Sequence, residues 1–191
     1  MGRYTTEMIA DQDAERLIEL FRTGYTYNGV KHRPNKRIAA ILQIENNLGL
    51  RLSDVVNLTT DSFVREHGSW VLNITEKKTG KARHFVVPDA VKEYVDSYCS
   101  DMCIVSGRLF RITEYAVWNA MEQATECLGL HNTSTHSFRK AAAMRVYEAS
   151  GKDVALTSQF MQHSSPSTTL RYLRRTTKQM DDVLSKTVML V

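Results

Sequence analysis

The chain has 191 residues, 42% of them hydrophobic and 24% charged, with 9 glycines, 3 prolines and a formal net charge of +4. These values exclude collagen-like, low-complexity and disordered classes, and they suit one compact domain, or one plus a small appendage, that needs no disulfide or structural metal to hold a core. No apolar run approaches the ~20 residues that cross a bilayer and no signal-peptide core is present; the three cysteines (Cys99, Cys103, Cys127), lacking a CxxC pair, fit a reducing, cytoplasmic setting.

Apolar spacing predicts a first helix over residues 7–21 through Met8, Ala14, Leu17, Ile18 and Phe21, ended by Gly24. Residues 24–34 read as a loop. Asn35 caps a second helix that Gly49 stops, and a short helix starts near Ser53. Residues 62–64, 70–74 and 84–87 read as three strands, joined by the His67-Gly68 turn and by Lys78-Thr79-Gly80-Lys81. Pro88 and Asp89 open a helix to about Tyr98. Residues 113–128, 135–149, 152–161, 166–174 and 178–188 then read as helices. Without βαβ alternation, the predicted class is mainly α with a small three-stranded antiparallel sheet (α+β).

Positive charge is clustered. Residues 22–37 hold Arg22, Lys31, Arg33, Lys36 and Arg37 without an acid; Lys77, Lys78, Lys81 and Arg83 have only Glu76 beside them; residues 164–178 hold Arg171, Arg174, Arg175 and Lys178. Three such blocks make a phosphate-binding face if the fold brings them together, and three separate solvated surfaces if it does not.

Several side chains suit anion chemistry. His136 and Arg139 stand at i and i+3 in the first turn of a helix capped by Ser134 or Thr135, so imidazole and guanidinium project together from its positive end. Arg51 has Asp54 at the same spacing, close enough to hold it. Strand parity places Lys78 with Leu72 and Ile74 on the inward face and Lys77 on the other. His163 precedes a Ser-Ser-Pro-Ser helix start, and Tyr172 lies nine residues on, between Arg171 and Arg174, in a positive field that eases its ionisation. Taken singly, each has an ordinary structural reading. A metal site built from Cys99, Cys103 and His131 or His136 has irregular spacing and is disfavoured.

Their order is distinctive. The segments GLRLSDVVNL, KKTGKARHFVVP, THSFRKAAA and MQHSSPSTTLRYL resemble the arginine, lysine-hairpin, HxxR and terminal His–Tyr boxes of the tyrosine recombinase (phage integrase) family, over residues 5–185. The resemblance implies a DNA strand-transfer enzyme that needs neither metal, ATP nor another cofactor. Arg51 and Arg139 would clamp the phosphate oxygens, Lys78 protonate the leaving 5′-oxygen, and His136 serve as base or hydrogen-bond partner. His163 would donate to a phosphate oxygen, Tyr172 attack phosphorus to give a 3′-phosphotyrosine, and Asp54 support the arginine. Arg33, Lys36, Arg37, Lys77, Lys81, Arg171, Arg174 and Arg175 are the DNA-contacting candidates.

The partners implied are double-stranded DNA, three further copies in a tetramer on paired sites (a monomer when free), and accessory DNA-bending proteins. A membrane is not among them, and the setting is the cytoplasmic nucleoid. The expected organisation is a single catalytic domain over residues 1–191 without the N-terminal clamping domain common in the family, as in its small catalytic-domain-only members or an excised fragment. The helix over 178–190 would be exchanged between protomers. Gln162 departs from the family's usual glycine before His163. A type IB topoisomerase-like enzyme and a catalytically silent DNA-binding regulator are the competing readings.

Overall fold

The computed structural model describes residues 6–163 and 165–173. The chain divides into two compact units, Met1–Ala142 and Ala143–Val191, with the division inside a helix.

In the first unit, α1 (Asp11–Thr23) turns Ala14, Leu17, Ile18 and Phe21 inward. It packs on α2 (Lys36–Leu48), which α4 (Asp89–Asp101) also meets, while α5 (Glu114–Cys127) packs on α1. α2 is the central element: Ile38, Ala39, Ala40, Ile41, Leu42, Ile44, Glu45 and Leu48 are all buried, so hardly any of its circumference faces water. Asn35 starts it as expected, its side chain accepting the Ile38 N–H at 3.2 Å. Gly49, left-handed at φ 58°, ends it. α3 is one turn (Leu52–Val55).

The sheet is the expected antiparallel meander, β3 (Phe63–Glu66), β4 (Ser69–Thr75) and β5 (Ala82–Val86). Phe63, Leu72 and Phe85 stand opposite one another across it, a row that fixes the register against the core. Among the described residues, three α-helices remain. α6 (Thr135–Ala149) spans the division between the units, and α7 (Val154–Met161) and α8 (Pro166–Tyr172) pack on each other in the second unit.

Two expectations need correction. The first helix begins at Asp11, not Glu7: Ile9 is buried from an extended lead-in, whereas Met8, which completed the helical pattern, is exposed. Residues 24–34 form a hairpin, β1 (Tyr25–Tyr27) and β2 (Val30–His32), rather than a loop. Its two-residue turn is Asn28-Gly29, both at positive φ (47° and 75°), which is the turn that suits a tight hairpin. Tyr25 stacks on His32 at 4.3 Å between ring centroids.

Gly24 has φ 83°, and a Cβ there would lie 2.7 Å from the His32 carbonyl oxygen and 2.9 Å from Pro34 Cδ. Gly24→Ala is expected to destabilise the fold by more than ~1 kcal/mol, because strain and clash outweigh the entropy saved. A urea-unfolding midpoint no lower than that of the wild type would contradict this.

Candidate functional site

The C-terminal end of α2 is where the first unit gathers its charges. Helix-end carbonyls lack intrahelical donors and carry partial negative charge. Here two buried guanidinium groups meet them: Arg83, from β5, donates to the Leu48 carbonyl at 3.0 Å, and Arg139, from α6, donates to the Gly49 carbonyl. Each is 1% exposed. Glu76, at the end of β4, accepts from Arg83 at 3.2 Å through Oε1, and from Arg51 and Thr79 through Oε2, the Thr79 distance being 2.7 Å. Burial opposes ionisation of Glu76, but the hydrogen bonds from Thr79, Arg51 and Arg83 outweigh it and hold the carboxyl below its usual range. Burial, with Arg139 nearby, pushes Arg83 down to about 10, which still leaves it cationic at neutral pH.

Arg51 precedes α3 and is partly exposed. Its partner is Glu76, not the expected Asp54. Asp54 Oδ1 instead accepts the Lys77 backbone N–H at 2.8 Å, so it fastens the lysine hairpin to α3. Its Oδ2 is buried without a hydrogen-bond partner among the described residues, and burial above all holds this carboxyl above its usual range.

The parity argument for Lys78 also fails. β4 ends at Thr75, and Glu76 is the last residue on the inward face; Lys77 and Lys78 are both in the exposed turn. Contacts separate the two lysines instead. Lys77 Nζ pairs with Glu114 at 3.0 Å, while Lys78 lies near enough to His136 to repel its proton.

Ser134 caps α6: its hydroxyl accepts the His136 N–H at 3.2 Å, and its carbonyl accepts the Ser137 N–H. The i, i+3 spacing holds as expected, with Arg139 buried and His136 reaching solvent. The enclosure behind the ring, then the charges of Arg139, Lys140, Arg51 and Lys78, press its pKa down to about 4. His136 is therefore neutral at pH 7, able to accept a proton or a hydrogen bond. Thus Arg51, Asp54, Lys78, His136 and Arg139 come together around one helix end.

In the second unit, His163 follows the cap of α7. That cap is Gln162, left-handed at φ 50° and ψ 39°, a conformation that glycine adopts without the ~1 kcal/mol cost of a side chain. His163 Nδ1 lies 2.8 Å from Thr169 Oγ1. Tyr172 is the last residue of α8. Its side chain, that of Arg171, and all of Arg174, Arg175 and the 178–190 helix lie outside the described residues.

The other cationic candidates are spread out. Lys36 opens α2, a helix length of ~20 Å from Arg51, and pairs with Asp101 at 2.8 Å. Arg37 donates to the Arg111 carbonyl at 3.0 Å, and Arg33 and Lys81 are exposed in connecting segments. Within the first unit the two basic blocks therefore stand toward opposite ends of α2. Among the described residues no group of three or more His, Cys, Asp or Glu is placed to hold a metal, and no helix is long and apolar enough to cross a membrane. The motif reading missed Glu76, Arg83 and Glu45. Arg83 carried a signal, since it alternates with Phe85 along a strand that must face the core on one side.

Two measurements test this arrangement. The His136 ring is expected to titrate near pH 4 by NMR, and Lys78→Met should raise that midpoint; a wild-type midpoint near 6.5 would sink the account. Because the folded value lies below the unfolded one, this histidine's contribution to stability is intact above about pH 6.5 and is lost as pH falls toward 4. Glu76→Leu should cost about 3 kcal/mol or more by stranding buried Arg83, and adding Arg83→Met should recover most of it. Equal losses in the single and double variants would show that the pair is not coupled.

Known proteins resemble this chain in sequence and in fold. The chain is 29% identical over 146 residues to a probable integrase/recombinase, YoeC, of Bacillus subtilis (strain 168), covering 73% of this chain and 78% of that protein. The structure of XerH site-specific recombinase in a post-cleavage complex with palindromic difH substrate superposes with a TM-score of 0.70 at 17% identity, over 94% of this chain and 53% of XerH. The catalytic domain of bacteriophage HP1 integrase gives a TM-score of 0.63 at 20% identity, covering 94% of both chains. These structures share the fold, and the chain spans about half the length of XerH. The phage integrase family profile matches residues 7–179, so this chain belongs to the phage integrase family.

Proposed function

We propose that the chain cleaves and rejoins double-stranded DNA at specific sites through a 3′-phosphotyrosine intermediate. The observation that carries this reading is the convergence of Arg51, Arg139, Lys78 and a neutral His136 on the end of α2. Glu76 holds the Arg51 guanidinium in place, and the Gly49 carbonyl holds that of Arg139.

In the proposed reaction the Tyr172 oxygen attacks phosphorus while the bond to the 5′-oxygen breaks. Arg51 and Arg139 stabilise the charge that builds on the non-bridging oxygens. Lys78 gives the leaving oxygen its proton, and its neighbour His136, being neutral, accepts from the nucleophile. His163 donates to a phosphate oxygen. The phosphotyrosine keeps the energy of the broken bond, so the freed 5′-hydroxyl attacks it to reseal without ATP. The three cations supply the charge that a metal would otherwise bring. Arg33, Lys36, Arg37, Lys77, Lys81, Arg171, Arg174 and Arg175 serve as phosphate contacts further along the duplex. The chain acts as a catalytic domain, monomeric when free and tetrameric on paired sites, with accessory DNA-bending proteins, in the cytoplasm at the nucleoid.

The test is incubation with nicked suicide duplexes taken from the DNA around the gene, followed by mapping of the labelled residue. A covalent adduct on Tyr172, retained in EDTA and absent from Tyr172→Phe at unchanged DNA affinity, is the expected result. Arg51→Ala should slow adduct formation by about a hundredfold, equivalent to ~3 kcal/mol. A substrate with a 5′-bridging sulfur, whose leaving group needs no proton, should rescue Lys78→Ala but not Arg51→Ala. An adduct on another residue, or rescue of Lys77→Ala instead, would overturn these assignments, and relaxation of any plasmid regardless of sequence would favour a topoisomerase.

A further inference from the structure

The ring of His163 is fastened at a point that the family motif does not name. Its backbone N–H donates to the Ser158 carbonyl of α7 at 3.0 Å, and its Nδ1 lies 2.8 Å from Thr169 Oγ1 on α8. Thr169 is fully buried, at 0% exposure. Among the described residues its hydroxyl has one hydrogen-bond partner, the His163 ring. A hydroxyl proton that water cannot reach needs an acceptor, and a neutral imidazole offers one only at its unprotonated nitrogen.

We propose that Thr169 is a positioning residue: it donates to Nδ1, fixes the neutral His163 ring as the Nε2–H tautomer, and ties that ring to the helix carrying Tyr172. With Nδ1 occupied as an acceptor, the ring proton resides on Nε2. That is the form that donates to an anionic oxygen without first gaining a charge. The opposite tautomer would aim a lone pair at the phosphate. Because Thr169 stands three residues before Tyr172 on α8, a shift of this helix moves the proton donor together with the nucleophile. This consequence for catalysis rests on the strand-transfer reading above. The tautomer itself does not.

The two are separated by measuring each. In the 15N-labelled full chain, long-range correlations of the neutral ring are expected to show His163 protonated at Nε2 and accepting at Nδ1. Thr169→Val should mix the tautomers and slow adduct formation by about tenfold, the size of one hydrogen bond, at unchanged DNA affinity. Thr169→Ser, which keeps the hydroxyl, should restore both. A wild-type ring protonated at Nδ1 would overturn the proposal. So would a Thr169→Val protein with the wild-type tautomer and rate, or a serine variant that rescues neither. A wild-type chain with the Nε2–H ring but no adduct on Tyr172 would uphold the tautomer and reject strand transfer.

Discussion

Two buried guanidinium groups closing the end of α2 are the constraint from which the rest of the first unit follows. A charge taken out of water is costly unless its hydrogen bonds are replaced and its field is met. The carbonyls of Leu48 and Gly49 do the first for Arg83 and Arg139, because a helix terminus offers acceptors that nothing inside the helix can use. Glu76 does the second for Arg83 and, with its other oxygen, reaches Arg51 at the surface. The position of Arg51 is thus set through two links from the helix that forms the core. This gives a rigid mount for a side chain whose proposed task depends on geometry.

The same constraint explains why the lysine hairpin sits where it does. Glu76 binds the Thr79 hydroxyl, its carbonyl accepts the Gly80 N–H, and its N–H donates to the Lys81 carbonyl. Asp54 takes the Lys77 N–H from the other side. The turn is therefore held at both of its ends by groups that also define the arginine cluster. Moving Lys78 relative to Arg51 requires breaking bonds to a buried carboxylate.

Much of this was legible in the sequence, and the failures have physical causes. Helix caps, breaker glycines and the meander read directly because each is a local signal: Asn35, Gly49 and the strand alternation of β4 behave as their neighbours dictate. The β1–β2 hairpin escaped because its three-residue strands bury little, although Asn28-Gly29 announced the turn. The Arg51–Asp54 pairing was inferred from helical spacing, yet the structure gives Arg51 a partner 25 residues away. Spacing along a chain cannot weigh a distant acceptor that is more deeply buried. Parity misjudged Lys78 for a related reason, since alternation is a property of the strand and ends with it at Thr75.

The two buried glutamates described in the first unit stand in opposite electrostatic settings. Glu76 receives donors from Arg51, Arg83 and Thr79, which hold it below the usual carboxylate range despite its burial. Glu45, one turn before the α2 cap and 1% exposed, has an oxygen with no hydrogen-bond partner among the described residues. Burial pushes it well above that range, and the attraction of nearby Arg139 only partly offsets this. Arg139 therefore lies beside a carboxyl whose ionisation burial opposes. Donors favour the charged form of one carboxyl, and burial opposes it in the other. That division follows the donors: Glu76 receives three, whereas one Glu45 oxygen has no hydrogen-bond partner among the described residues.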